Sequence, residues 1–267
     1  MARIGNIEVY LPEYIETNEL LLNDFPDADF SNLEKKVGIK QRHIAGENET
    51  ALDLAYFAAK KILNNVKAED IDFLILCSQS PDYYLPTSAC ILQDRLALRK
   101  DIGALDFNLG CSGYIYGLAL AKGLIAANIA KKILFVTSET YSKHIHRKDK
   151  ANRSIFGDGA TATIVDNNKH GIFEFELGTD GSGYDKLIVP NGCFRNKYEF
   201  QPDSFEYGSG NITDNNHLYM NGPEIFNFTI ENIPGIVTKI LDKNELTIQE
   251  YPIVSFNCFS KELMIIP

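Results

Sequence analysis

The stretch Ala104-Leu105-Asp106-Phe107-Asn108-Leu109-Gly110-Cys111-Ser112-Gly113-Tyr114-Ile115-Tyr116-Gly117-Leu118-Ala119-Leu120-Ala121-Lys122-Gly123-Leu124 decides the reading of this chain. It begins as a strand, turns at Gly110 and continues as a helix that is apolar almost all round, which predicts a buried helix. Gly113 and Gly117 stand four apart on one helical face, where a neighbouring backbone can come close. Cys111 falls at the helix N-terminus, where unpaired N–H groups and the helix dipole favour an anion. A thiol there is expected to have a lowered pKa and to act as a nucleophile. The other reading open to a single cysteine is a buried structural thiol.

The 267 residues are 45% hydrophobic and 23% charged, the balance of an ordinary globular protein with a substantial core. No run is long and apolar enough to cross a membrane, and the N-terminus reads as a strand rather than a signal peptide. Cytoplasm is therefore the expected compartment. Five cysteines, at 77, 90, 111, 193 and 258, form no C-x-x-C pair, which argues against a disulfide framework and a zinc site. A formal net charge of −10 disfavours nucleic acid as a partner. Two segments run against that balance: Lys143 to Arg153, with five Lys and Arg against one Asp, and the group Lys35, Lys36, Lys40 and Arg42. Each can be a solvated face; converging, they would attract a phosphate-bearing ligand or an acidic protein.

Strands are expected at 4–10, 71–77 and 132–138, and a glycine turn at 157–159 feeds another up to 165. Helices are expected from Thr17-Asn18, over 51–63 and from Thr87 to Leu96. The alternation up to about residue 166 predicts a mostly parallel sheet covered by helices. Beyond it, 171–178 reads as a strand, 178–217 as a surface excursion and 252–256 as a last strand. Pro223 opens a helix running to about Leu241.

Taken together, these segments resemble the β-ketoacyl-acyl-carrier-protein synthase III family of the thiolase superfamily. The resemblance rests on an ordered series: Leu11-Pro12-Glu13 with Thr17-Asn18, Val37-Gly38-Ile39 with Arg42-His43-Ile44-Ala45, and Leu85-Pro86-Thr87-Ser88-Ala89-Cys90. It continues with Asn108 and Cys111-Ser112-Gly113, Thr137-Ser138-Glu139-Thr140, Phe156-Gly157-Asp158-Gly159-Ala160, Gly178 to Gly183, and Met220 to Phe226. It implies an α/β, thiolase-like fold of two similar halves layered α-β-α-β-α, here 1–168 and an incomplete 169–267, and a homodimer. It implies acyl-CoA and malonyl-acyl-carrier protein as substrates, with no cofactor and no metal. Cys111 matches the acylated nucleophile, and backbone N–H groups hold the thioester oxygen. Lys36 and Lys150 fall where the family often has arginines near the CoA nucleotide, although each can equally be an ordinary exposed lysine. Asn32 replaces a tryptophan that stacks on adenine. Leu85 matches a residue reaching into the partner subunit's acyl pocket, and Gly222 and Phe226 match positions lining the pocket.

The sequence departs from the family after the last expected strand. Asn257 stands where the catalytic histidine belongs, and the later asparagine and glycine loop have no counterpart. None of His43, His144, His146, His170 and His217 lies in a matching segment. Condensation is expected to suffer, and marginal stability is expected from core surface left uncovered. The alternative is a non-condensing member that only binds an acyl carrier or a partner protein.

Overall fold

The computed structural model of the chain describes residues 2–168 and 171–247, without the side chains of Ser31, Asn32 and Lys36. The strand expected at 252–256, His170 and Asn257 lie outside the described residues. The elements in chain order are β1 (Ala2–Tyr10), β2 (Tyr14–Thr17), α1 (Asn18–Asp24), α2 (Ser31–Val37), β3 (Gln41–Ile44), α3 (Ala51–Leu63), β4 (Phe73–Cys77), α4 (Ser88–Arg95) and β5 (Gly103–Phe107). There follow α5 (Gly113–Ala126), β6 (Lys132–Glu139), α6 (Lys150–Ile155), β7 (Gly159–Asn167), β8 (Leu187–Ile188), β9 (Phe205–Tyr207), β10 (Asn211–Thr213), β11 (Tyr219–Met220) and α7 (Gly222–Lys243).

The chain divides into two compact units. Unit 1 holds residues 1–15, 43–141 and 157–173; unit 2 holds 16–42, 142–156 and 174–267. Residues 16–42 and 142–156 thus gather with the later part of the chain.

Unit 1 is built on a five-stranded sheet in the order β1-β7-β6-β4-β5. β4 runs parallel to β5 and β6, whereas β7 is antiparallel to both β6 and β1. The sheet is thus mixed rather than mostly parallel. The reason is local: β7 starts opposite the end of β6, with Gly159 paired to Glu139, so the chain returns without a helical crossover in this unit. Both faces of the central strands are covered, which is why Phe73–Cys77 and Ile133–Val136 read as unbroken apolar runs. On one face Leu74, Leu76, Leu134 and Val136 pack with Leu54, Ala58 and Ile62 of α3 and Leu92 of α4. Each such fully buried Leu or Ile contributes about 1.5–3 kcal/mol. Thr50 starts α3 with a capping box: its side chain accepts from the Asp53 N–H, and Asp53 accepts from the Thr50 N–H.

The other face belongs to α5. Its buried residues are Gly113, Gly117, Leu118, Ala121 and Ile125, while Ile115 and Leu120 are exposed. The expected all-round burial is therefore corrected: one face of α5 lies on the sheet and the opposite face is open. The two glycines do serve close approach, but to side chains rather than to a backbone. A Cβ on Gly113 would strike the Cys77 sulfur, and one on Gly117 would enter the Phe135 ring. Tyr114 stacks on that same ring at 5.4 Å between centroids.

In unit 2, α1 is capped by Thr17, α2 ends at Gly38 in the left-handed region (φ 83°), and β9–β10 and β8–β11 form two short antiparallel pairs. The excursion over 178–217 is open for most of its length, but Asn211, Thr213 and Asp214 at its end are buried. Residues 171–178, read as a strand, form none. Their backbone groups are taken by side chains: Lys122 Nζ donates to the Phe173 carbonyl, Asn244 accepts from the Glu174 N–H, and Lys243 Nζ donates to the Phe175 carbonyl. α7 carries Pro223 in its first turn as expected, and leaves Phe226, Phe228, Ile230 and Ile236 exposed. Among the described residues no helix is long and apolar enough to cross a membrane.

Gly117→Ala tests the α5 contact. An alanine gains about 1 kcal/mol of helix propensity, but a methyl inside the Phe135 ring costs about 1–3 kcal/mol of overpacking. Because the overlap involves three ring atoms, the steric cost wins, and urea unfolding should show a net loss of about 1–2 kcal/mol.

Candidate functional site

Strands β4, β5 and β6 run in one direction, so their C-terminal ends meet at one edge of the sheet. In open α/β sheets this is the edge where ligands bind. Here the three strands are followed by Gln79, by Cys111 and by Glu139 itself as the last residue of β6. Cys111 occupies a tight turn closed by the Gly113 N–H donating to the Gly110 carbonyl at 2.8 Å. It therefore stands one residue before Ser112, the N-cap of α5, rather than inside the helix. Its side chain is exposed. A Cβ on Gly110 would lie 2.7 Å from Gln79 Oε1, so the glutamine side chain would have to move to admit one.

Behind this turn lies a second sulfur of opposite character. Cys77 is 3% exposed, donates to the Leu109 carbonyl at 3.0 Å, and has its thiol pushed up to about 11, chiefly by burial. Glu139 accepts from the Gln79 N–H and from the Ser80 hydroxyl, each at 2.7 Å. Burial pushes its carboxyl up to about 7, and the Asp158 charge adds to the shift. Tyr141 is pushed up to about 12, first by burial and then by the Glu139 and Cys111 charges. Asp158, in the glycine turn, accepts from the Ala45 N–H at 2.7 Å, and its own N–H donates to the His43 carbonyl. The turn thus anchors backbone.

The two basic segments meet in unit 2 through Arg42 and Arg153, on a shared carboxylate. Arg153 bonds Glu16 at 2.6 Å and Asp24 at 2.8 Å, and Arg42, 3% exposed, lies 3.8 Å from Glu16. Burial lowers the Arg42 pKa despite that carboxylate. Lys150 lines a cavity of about 530 Å³, together with the apolar Phe30, Leu33 and Val37 and the acidic Asp27 and Asp29. α6 is set in place by the buried Asp149, which caps it through the Asn152 N–H and accepts from the Tyr207 hydroxyl at 2.5 Å. This pocket can hold a flat or apolar group beside one ammonium, with a charge balance that disfavours a cluster of phosphates.

The sequence of 105–181 matches the family model of 3-oxoacyl-[acyl-carrier-protein (ACP)] synthase III. A putative 3-oxoacyl-[acyl-carrier-protein] synthase 3 of Campylobacter jejuni is 35% identical over 251 residues, covering 90% of this chain and 70% of the relative. A solved 3-oxoacyl-(acyl-carrier-protein) synthase III superposes with a TM-score of 0.89 at 44% identity, over 93% of this chain and 75% of that one. The chain belongs to the 3-oxoacyl-[acyl-carrier-protein] synthase III family. The corresponding synthase of Burkholderia xenovorans superposes with a TM-score of 0.82 at 31% identity, over 94% of this chain and 72% of that one. The family is one of condensing acyltransferases of fatty acid biosynthesis with a thiolase-like, mixed α/β fold.

The positions carried over from the synthase family are distributed as follows. Cys111 and Leu85 lie in unit 1, Leu85 being 80% exposed in the loop before α4. Lys150, Gly222 and Phe226 lie in unit 2. Gly222 opens α7 with open space around it, and Phe226 follows one turn later on the same side, 45% exposed. Lys36 belongs to α2, whose Leu33 and Val37 line the Lys150 cavity; its side chain and that of Asn32 lie outside the described set. Sequence reasoning missed Glu139, Gln79 and Tyr141. The only available signal was an acidic residue ending an otherwise apolar strand.

The Glu139 shift makes a prediction about stability. Its folded-state pKa lies above its ordinary value of 4.5, so the unfolded chain releases the proton first. This group's contribution is complete below pH 4.5 and is lost as pH rises to about 7. Chemical unfolding of wild type and Glu139→Gln across that range should show the wild-type curve falling more steeply with pH, and parallel curves would contradict the assignment.

Proposed function

We propose that this chain is a condensing acyltransferase that takes an acyl group from acyl-CoA onto Cys111 and passes it to malonyl-acyl-carrier protein. The Cys111 thiolate adds to the thioester carbonyl, backbone N–H groups stabilise the tetrahedral oxyanion, and the CoA thiolate departs. Malonyl-carrier protein then loses carbon dioxide, and its carbanion attacks the acyl-cysteine. That step releases the Cys111 thiolate and yields 3-oxoacyl-carrier protein. The observation that carries this reading is the exposed Cys111 in a fixed turn before α5, at the C-terminal end of three parallel strands, in a chain of this family.

The finer features follow the same reading. The apolar wall of the Lys150 cavity is the place for the CoA adenine ring, with the Lys150 ammonium beside it, and the resemblance carries Lys36 of α2 over as a second CoA-binding position. The chain works in the cytoplasm as a homodimer, with the exposed Leu85 reaching the partner's acyl pocket while Gly222 and Phe226 line that pocket in their own subunit. β5, as an edge strand, offers unpaired backbone groups for strand-to-strand association. The chain comprises two thiolase-like halves, 1–168 and 169–267.

Incubation with a series of short acyl-CoAs followed by peptide mass spectrometry should place an acyl adduct on Cys111. Cys111→Ala should abolish it, and no adduct with any member of the series would reject the first half-reaction. Condensation with malonyl-carrier protein, assayed separately, should lag behind adduct formation, and Asn257→His should raise it. Lys150→Ala should raise KM for acyl-CoA by about three- to tenfold with little change in kcat, the signature of a contact made equally in ground and transition states.

A further inference from the structure

Glu139 takes no part in the acyl transfer just described, yet it sits in the middle of the functional edge of unit 1. It spends a half-buried carboxylate on two hydrogen bonds to the loop after β4. Oε1 accepts from the Gln79 N–H and Oε2 from the Ser80 hydroxyl, each at 2.7 Å. The side chain of Gln79 then continues toward β5. Its Nε2 donates to Asn108 Oδ1 at 3.1 Å, and its Oε1 fills the space over Gly110 that a Cβ would need. Asn108 and Gly110 are the residues that lead into the Cys111 turn. A line of contacts therefore runs across the ends of β6, β4 and β5, from a carboxylate to the backbone beside a thiol.

We propose that Glu139 is a positioning residue: by fixing the backbone of Gln79 it holds the Gln79 side chain over Gly110 and against Asn108, and so sets the orientation of the turn that presents Cys111. The proposal rests on Cys111 as the reacting thiol and adds a residue that acts on it through another. Hydrogen-bond acceptance by Glu139, not its charge, carries the effect. A neutral amide side chain can still accept from the Gln79 N–H, whereas an alanine cannot. The carboxyl is also placed to titrate near neutrality, with Asp158, Tyr141 and Cys77 as the ionisable groups that interact with it from the neighbouring strands and loops, and Tyr141 in turn interacts with Cys111. On protonation at Oε2 the Ser80 hydroxyl can turn from donor to acceptor, while the Gln79 N–H keeps Oε1.

Alkylation of the full chain by iodoacetamide reads the thiol directly. The sulfur displaces iodide, and peptide mass spectrometry assigns the rate to each cysteine from pH 5.5 to 9. Glu139→Ala should slow Cys111 by about tenfold, and Glu139→Gln should recover it to within about threefold of wild type. Gln79→Ala, which leaves Glu139 and the backbone bond in place, should match Glu139→Ala and provides the same comparison if the latter fails to fold. Equal rates in wild type, Glu139→Ala and Gln79→Ala would overturn the proposal. Equal slowing in Glu139→Ala and Glu139→Gln would overturn it too, because charge alone would then be responsible. The exposed Cys90 and Cys193 serve as internal references. If wild-type Cys111 reacts no faster than they do, the nucleophile reading fails, while the alanine–glutamine comparison still decides the role of Glu139.

Discussion

The contact between α5 and the sheet governs unit 1. Two glycines let the helix settle until Gly113 meets the Cys77 sulfur and Gly117 meets the Phe135 ring. That depth leaves one residue, Ser112, between the helix and a turn that carries Cys111 outward. A helix held off by even a methyl group would shift the turn, its hydrogen bond from Gly113 to Gly110, and the thiol with it. Dense interiors transmit such displacements instead of absorbing them. The place of Cys111 is therefore a consequence of packing two residues further along the chain.

Unit 2 is governed by charge neutralisation. Two of its arginines are consumed internally: Arg153 by Glu16 and Asp24, with its guanidinium over the Phe25 ring, and Arg42 by burial beside Glu16. A buried arginine without its carboxylate would cost several kcal/mol, so Glu16 is placed to serve both. Lys150, which lines this unit's cavity, is presented by a short helix that Asp149 caps, with Tyr207 donating to the same carboxylate.

Much of the sheet could be read from sequence, because buried strands such as 73–77 and 132–139 appear as continuous apolar runs and α3 announces itself with Thr50 and Asp53. Cys111 was legible because strand, glycine and helix surround it. Other features depended on long-range partners that periodicity cannot reveal. Ile172, Phe173, Phe175 and Leu177 look like a strand, yet Lys122, Lys243 and Asn244 capture the backbone that a ladder would have used. The basic segments showed their sign but not the acids that meet them. Glu139 and Gln79, 60 residues apart, become neighbours only once β4 and β6 are paired.

The two sulfurs at the end of the sheet have different fates under oxidative stress. Peroxide reaches the one on the turn, whereas the one beneath the helix, hydrogen-bonded to the Leu109 carbonyl and largely protonated, is shielded from it. With Cys111 as the proposed nucleophile, sulfenylation at the surface would stop the chemistry with the core intact, so loss of chemistry and loss of structure would be separable events, and a reductant would reverse the first without any refolding.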